Sequence, residues 1–243
     1  MIGPHGSPGK LISNSTGFPV RVSPNVLKVV IQALQKAWAE ICADPEKHLA
    51  PVTPGNPEED RYTDAICELL LCYLHDSSLP VSGFTSDVFE YVERGANLSN
   101  FNLSVINKQP DLVIRMANTP LTNVRRYVGI FVEAKVVSKS KALSNYTRQG
   151  VSRFVRGDYA WAMQDGLMIA YRKQPPRQVS ALDTSLKRDA SLLTQQENSK
   201  HIVQSGLPIP ACGKSTHDRQ WTYQAGGAPG EIRLWHLWAF DIP

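Results

Sequence analysis

Gln109-Pro110-Asp111-Leu112-Val113-Ile114, followed after an intervening turn by Tyr127-Val128-Gly129-Ile130-Phe131-Val132-Glu133-Ala134-Lys135-Val136-Val137, is the stretch that decides the fold. Both segments are apolar runs rich in β-branched and aromatic residues, so they predict two paired strands joined near Ala117 to Asn123. Side chains alternate along a strand, which puts Glu133 and Lys135 on one face and Ala134 on the other. A charged pair in so apolar a strand costs free energy unless it is paired or binds a metal. The first segment brings a further carboxylate, Asp111.

Upstream, Ser23-Pro24 offers an N-cap with proline at the first helical position, and Val26, Val30, Ala33, Leu34, Ala37, Trp38 and Ile41 recur at helical spacing up to Cys42. A second helix is expected from Glu58, with Glu58, Glu59 and Asp60 in the first turn, where the macrodipole favours acids, and Thr63, Ile66, Leu70, Tyr73 and Leu74 as its buried stripe. Glu59 leans toward that stripe, although helix capping alone would explain it. Strands are expected at Val81 to Phe84, Val88 to Val92 and Phe101 to Ile106. Residues 1–23, dense in Gly, Pro, Ser and Asn, read as a flexible leader, and 24–243 as a single domain.

Downstream, the period changes to helical from Ser144 to Met163, with Gln149, Arg153 and Arg156 along one polar edge. Gly166 to Tyr171 predicts a buried strand, Val179 to Leu193 a helix, and His201 to Val203 a short strand. In Glu231 to Ile242 both faces are partly apolar, which predicts an inner strand; His236 on it reads as a satisfied core histidine. Ser215-Thr216-His217-Asp218-Arg219 reads as a loop.

The 243 residues, 42% hydrophobic and 20% charged, suit a globular α/β domain that buries a sizeable core. No apolar run approaches the roughly 18 residues of a bilayer span, and no secretory signal is evident, so no membrane partner and a cytoplasmic location are expected. Cys42, Cys67, Cys72 and Cys212 lack paired metal-ligand spacing and read as reduced thiols; zinc chemistry through His217 and His236 has no spacing to support it. Residues 1–100 carry seven Lys/Arg against twelve Asp/Glu, whereas 135–177 carry nine against two. A basic block beside clustered acids points to a polyanion, though each of these charges alone could be a solvated surface group. Asp111, Glu133 and Glu59 gathered together would suit Mg²⁺, with Mn²⁺ as substitute, and Lys135 could then orient water or neutralise phosphate. The competing reading is a Pro-Asp turn beside a cross-strand ion pair.

Pro110-Asp111 followed by Glu133-Ala134-Lys135 resembles the PD-(D/E)xK restriction-endonuclease-like nucleases. Tyr146, Gly150, Arg153, Phe154, Gly157 and Tyr159 also resemble the helix after the Glu-x-Lys strand in small bacterial members, some of them associated with phage defence. The resemblance implies a restriction-endonuclease-like core, a central mixed sheet flanked by helices. It implies that Asp111, Glu133 and the Ala134 carbonyl bind metal, that Lys135 is catalytic and that Glu59 completes the site. Gln149, Arg153 and Arg156, and more loosely His217 and Arg219, become nucleic-acid contacts. The implied activity is Mg²⁺-dependent endonucleolytic cleavage of double-stranded DNA in an anti-phage system, by a homodimer or higher oligomer with an ATPase or sensor subunit as partner. The alternative is a nuclease-fold binding or assembly module without turnover.

Overall fold

A computed structural model describes residues 18–55, 57–117, 126–139, 143–173, 180–198, 212–223 and 226–242. Helix α1 (Pro24–Ala43) starts at the Ser23-Pro24 step as expected and buries Leu27, Val30, Ala33, Leu34, Ala37, Trp38 and Ile41. After the short turn α2 (Pro45–His48), α3 (Glu58–His75) opens with its three acids and buries Thr63, Ile66, Leu70, Tyr73 and Leu74. Strands β1 (Phe89–Arg94), β2 (Leu112–Met116) and β3 (Ile130–Val137) follow. The helical segment 144–155, α4, contains a π turn at Thr147–Val151. Then come β4 (Asp165–Arg172), α5 (Ser180–Arg188), a 3₁₀ turn at Ala190–Leu192, β5 (Thr194–Asn198), β6 (Cys212–His217) and β7 (Ile232–Asp241).

The seven strands form one mixed sheet in the order β1-β2-β3-β4-β7-β6-β5. Its β3–β4 and β4–β7 pairs are parallel and the other four antiparallel. All eight residues of β3 are buried, as befits a central strand covered on both faces. Against one face lie α1 and α3: the rings of Tyr62, Tyr171 and Phe240 stand 5.5, 5.2 and 5.3 Å from Trp38. Against the other lies α4, where Gly150 approaches Met168 so closely that an added Cβ would meet its methyl at 2.5 Å. Helix and sheet therefore touch backbone to side chain at this crossing. Inner strand β7 matches its two-sided apolar pattern.

Several expectations are corrected. The leader ends earlier than Ser23: Val20 bonds Ala162 and Gln164 through its N–H and C=O (both 2.8 Å), and Phe18 packs on the edge of Trp161. Val22 N–H donates to Asp165, an acid wholly buried between it and Arg233. Residues 1–17 lie outside the described residues, as does the strand expected at His201 to Val203. Val81 to Phe84 is a turn whose ends, Val81 and Phe84, point into the core. Phe101 to Ile106 is a loop clamped by Asn100, which bonds Val105 through both its backbone N–H and its side-chain oxygen. The helix expected to reach Met163 ends at Val155. Gly157 takes φ +70°, and a Cβ there would lie 2.8 Å from the Trp221 ring, so helical apolar spacing continues in the sequence through a segment that folds as turns. β5 and β6 were not foreseen, and His217 ends a strand instead of sitting in a loop.

Candidate active site

The β2–β3 ladder runs only from Ile114↔Ile130 to Leu112↔Val132. Pro110, two residues before that last pair, has no N–H to extend it. β3 continues for five more residues, paired with β4 on its other edge up to Val137↔Arg172. Its amides on the abandoned edge need acceptors in a buried setting. Carboxylates supply them: Ala134 N–H donates to Asp111 Oδ2 at 2.6 Å, and Val136 N–H to Glu59 Oε2 at 3.0 Å. The frayed strand thereby fixes two acids from two other parts of the chain.

The remaining oxygens converge on Lys135. Its Nζ lies 2.7 Å from Glu59 Oε1, 2.9 Å from Glu133 Oε1, 2.6 Å from the Ala134 carbonyl and 3.6 Å from Asp111 Oδ2. Burial alone would make the ammonium easier to deprotonate, but Glu133, Asp111 and Glu59 outweigh it and raise its pKa above the ordinary value. Glu133 is fully buried; desolvation first, then the neighbouring Asp111, push its carboxyl up to about 7 against Lys135, Arg153 and Tyr159. The two shifts differ in origin: the three surrounding carboxylates hold the proton on Lys135, whereas loss of water, reinforced by Asp111, raises Glu133. Arg153 Nη1 donates to Glu133 Oε1 at 2.8 Å, and Tyr159 Oη donates to Glu133 Oε2.

Glu59, Asp111, Lys135, Arg153 and Tyr159 line a cleft of about 590 Å³ whose walls include Arg94, Asn107, Lys108 and Gln109, while Glu133 and Ala134 are buried behind Lys135. Arg94 is bound to Asp60 and Asp64, and Lys108 to Asp158. Arg153 is about one-third exposed, lines the cleft and is engaged by Glu133 and Tyr159, which leaves others of its five N–H donors open.

Of the residues singled out in the sequence, Glu59, Asp111, Glu133, Ala134, Lys135 and Arg153 meet here. The other expected nucleic-acid contacts do not. Gln149 is exposed on α4 away from the cleft lining, and Arg156 turns to Asp158. His217 is wholly buried on β6, three places along the sheet from β3, and Arg219 is buried with its guanidinium on the carbonyls of Pro229 and Gly230. A strand interior and a loop-clamping role explain both, so neither is available to a polymer in solution. Tyr159 was missed as a site residue because its position in an apolar pattern gave no sign of the carboxylate it meets. Lys108 and Gln109 could have been found from their adjacency to Pro110-Asp111.

His217 and His236 belong to a separate buried chain. His217 Nδ1 donates to the Leu192 carbonyl (2.8 Å), which leaves its Nε2 to accept from Ser215 Oγ (2.7 Å). Ser215 Oγ in turn accepts from His236 Nε2 (2.7 Å), and His236 Nδ1 accepts from Tyr146 Oη (2.9 Å). Burial lowers His217 to about 4 and His236, with His217 adding to the effect, to about 3. All four cysteines are free thiols.

Compared with models of protein families, with curated proteins and with solved structures, the chain matches none. Among the described residues no helix is long and apolar enough to cross a membrane.

Proposed function

We propose that the chain is a metal-dependent endonuclease with a restriction-endonuclease-like core, hydrolysing phosphodiester bonds in double-stranded DNA. The observation that carries this reading is the meeting of Glu59, Asp111, Glu133 and the Ala134 carbonyl, brought from three separate segments, around the Lys135 ammonium, which with Glu59 and Asp111 lines an open polar cleft. The order of elements supports it: a helix carrying Glu59, three antiparallel strands with Asp111 just before the second and Glu133 on the third, a crossing helix with Arg153, and β4 parallel to β3. The resemblance of Pro110-Asp111 and Glu133-Ala134-Lys135 to PD-(D/E)xK nucleases points the same way.

Among the described residues no three His, Cys, Asp or Glu side chains are spaced to hold a metal outright, because these acids are spread around an ammonium. Their chemistry fits nonetheless: hard oxygens, most of them anionic, are what Mg²⁺ or Mn²⁺ takes, and Asp111, Glu133, Glu59 and the Ala134 carbonyl would hold it. Such an ion would acidify a water and offset charge on the phosphorane-like transition state. Arg153 would hold a non-bridging phosphate oxygen with its free N–H groups. Lys135 would donate to the attacking water or to the phosphate, and Tyr159 keeps Glu133 in place. A DNA-cutting homodimer, and a defence setting with an ATPase or sensor partner, rest on the family resemblance.

Plasmid DNA incubated with the protein and Mg²⁺, beside the Lys135→Ala and Asp111→Ala chains, tests the proposal. Nicking or linearisation by the wild type and its loss in both variants are expected. Cleavage that survives both substitutions would overturn the site, and DNA binding without cleavage under any divalent ion would favour a module without turnover.

A further inference from the structure

Lys135 donates to Glu59 Oε1 (2.7 Å) and to the Ala134 carbonyl (2.6 Å), and its ammonium is ion-paired with Glu133 Oε1 at 2.9 Å. Asp111 Oδ2 completes the shell at 3.6 Å. Those four oxygens are the set named above as ligands of a divalent ion, so ammonium and ion compete for one position. An ion bound at about 2.0–2.1 Å from them, as Mg²⁺ requires, would occupy the space that Nζ now fills. The two cannot share it, since they are like charges and Nζ has no lone pair to offer while protonated.

We propose that Lys135 is the resident cation of this site and that a divalent ion enters by displacing its ammonium into the cleft. This rests on the metal-site part of the nuclease reading and adds its regulation: the affinity for metal is set by an internal competitor. The exchange is sterically open, because Lys135 already lines the cleft and its four-carbon stem is flexible. Displaced into the cleft, the ammonium would face water or a phosphate oxygen there, so the same movement that admits the ion would deliver the ammonium to the substrate. The acids stay in place, because Asp111 and Glu59 each keep a β3 amide and Glu133 keeps Arg153 and Tyr159. Removal of Lys135 leaves three carboxylates facing one arginine, which increases the negative charge seen by a cation.

Isothermal titration of the full chain with Mn²⁺, without DNA, compares the wild type with Lys135→Met and Lys135→Gln, their folding checked by circular dichroism. At least ten-fold tighter binding is expected in both, and its loss when Asp111→Asn is added to Lys135→Met. Equal or weaker binding in either folded variant would overturn the proposal. The wild type gives a second readout: acetylation of Lys135 by a small activated ester, followed by mass spectrometry, should rise when Mn²⁺ is added, and an unchanged or lower yield refutes displacement. Neither measurement involves DNA cleavage, so failure here and failure of the nuclease assignment are separately visible.

Discussion

The chain from Leu192 through His217, Ser215 and His236 to Tyr146 makes this fold sensitive to mild acid, and His236→Gln isolates the effect. Both histidines are buried and neutral, with no carboxylate beside them, at about 4 and about 3 against an ordinary 6.5. Below pH 6.5 the unfolded chain takes up protons that the folded chain refuses, so stability falls as pH falls. The loss is about 1.4 kcal/mol per pH unit for each histidine, or about 2 kcal/mol each at pH 5. That figure hardly depends on how low the folded values lie, because both are already below 5. Glu133 acts in the opposite direction: with its folded value near 7 against 4.5, the native state gains about 2 kcal/mol over the same interval. The wild type should therefore lose about 2 kcal/mol in all between pH 7.5 and 5.0. Without the titrating ring at position 236 that loss should nearly vanish, even if the variant is less stable at both pH values. Urea unfolding followed by tryptophan fluorescence measures both chains at both pH values. An equal pH dependence in the two would show that His236 is not held neutral in the native state.

Three further outcomes are expected. Glu133→Gln should abolish cleavage and deepen the loss of stability between pH 7.5 and 5.0 from about 2 to about 4 kcal/mol; an unchanged loss would mean that another acid carries the offset. Tyr159→Phe removes one hydrogen bond to a buried carboxylate and should cost about 1.5–3 kcal/mol in urea unfolding, with cleavage falling while Mn²⁺ binding persists; an unchanged unfolding free energy refutes the contact. Gly157→Ala forces a side chain into a left-handed turn and against the Trp221 ring, for a loss of roughly 1–3 kcal/mol, read as a lower midpoint of thermal unfolding.

Much of this was legible in the sequence where local pattern and tertiary environment agree. α1 and α3 carry unbroken apolar stripes and clear N-terminal signals, and their starts were found at Pro24 and Glu58. β3 announced itself by a charged pair in an apolar run, and Asp111 and Glu59, expected beside that pair, do lie against Lys135. Period alone failed beyond Val155, where Tyr159, Ala162 and Met163 are buried as foreseen but in turns, since apolar spacing records burial and only indirectly the backbone that achieves it. Arg219 misled for a related reason. A guanidinium is assigned to the surface by default, yet here Nε and Nη2 are held inside by two loop carbonyls. β6 was missed because Cys212-Gly213-Lys214-Ser215-Thr216-His217 has no apolar alternation. It is a strand because β7 offers it an edge and because Ser215 and His217 satisfy one another in the interior.

The π turn of α4 has a bearing on chain length. Ser152 N–H bonds back five residues to Thr147, so this segment holds one residue more than an α-helix would need to join the same two ends. One end is moored at Tyr146 on His236, the other at Arg153 on Glu133. In a regular helix the loss of one residue turns everything beyond it by about 100°. Here a chain shortened by one, at exposed Gln149, can relax to α geometry with both moorings in register. The residues nearest the acids thus carry a built-in allowance for deletion, which the tight crossing of Gly150 over Met168 denies to any added bulk.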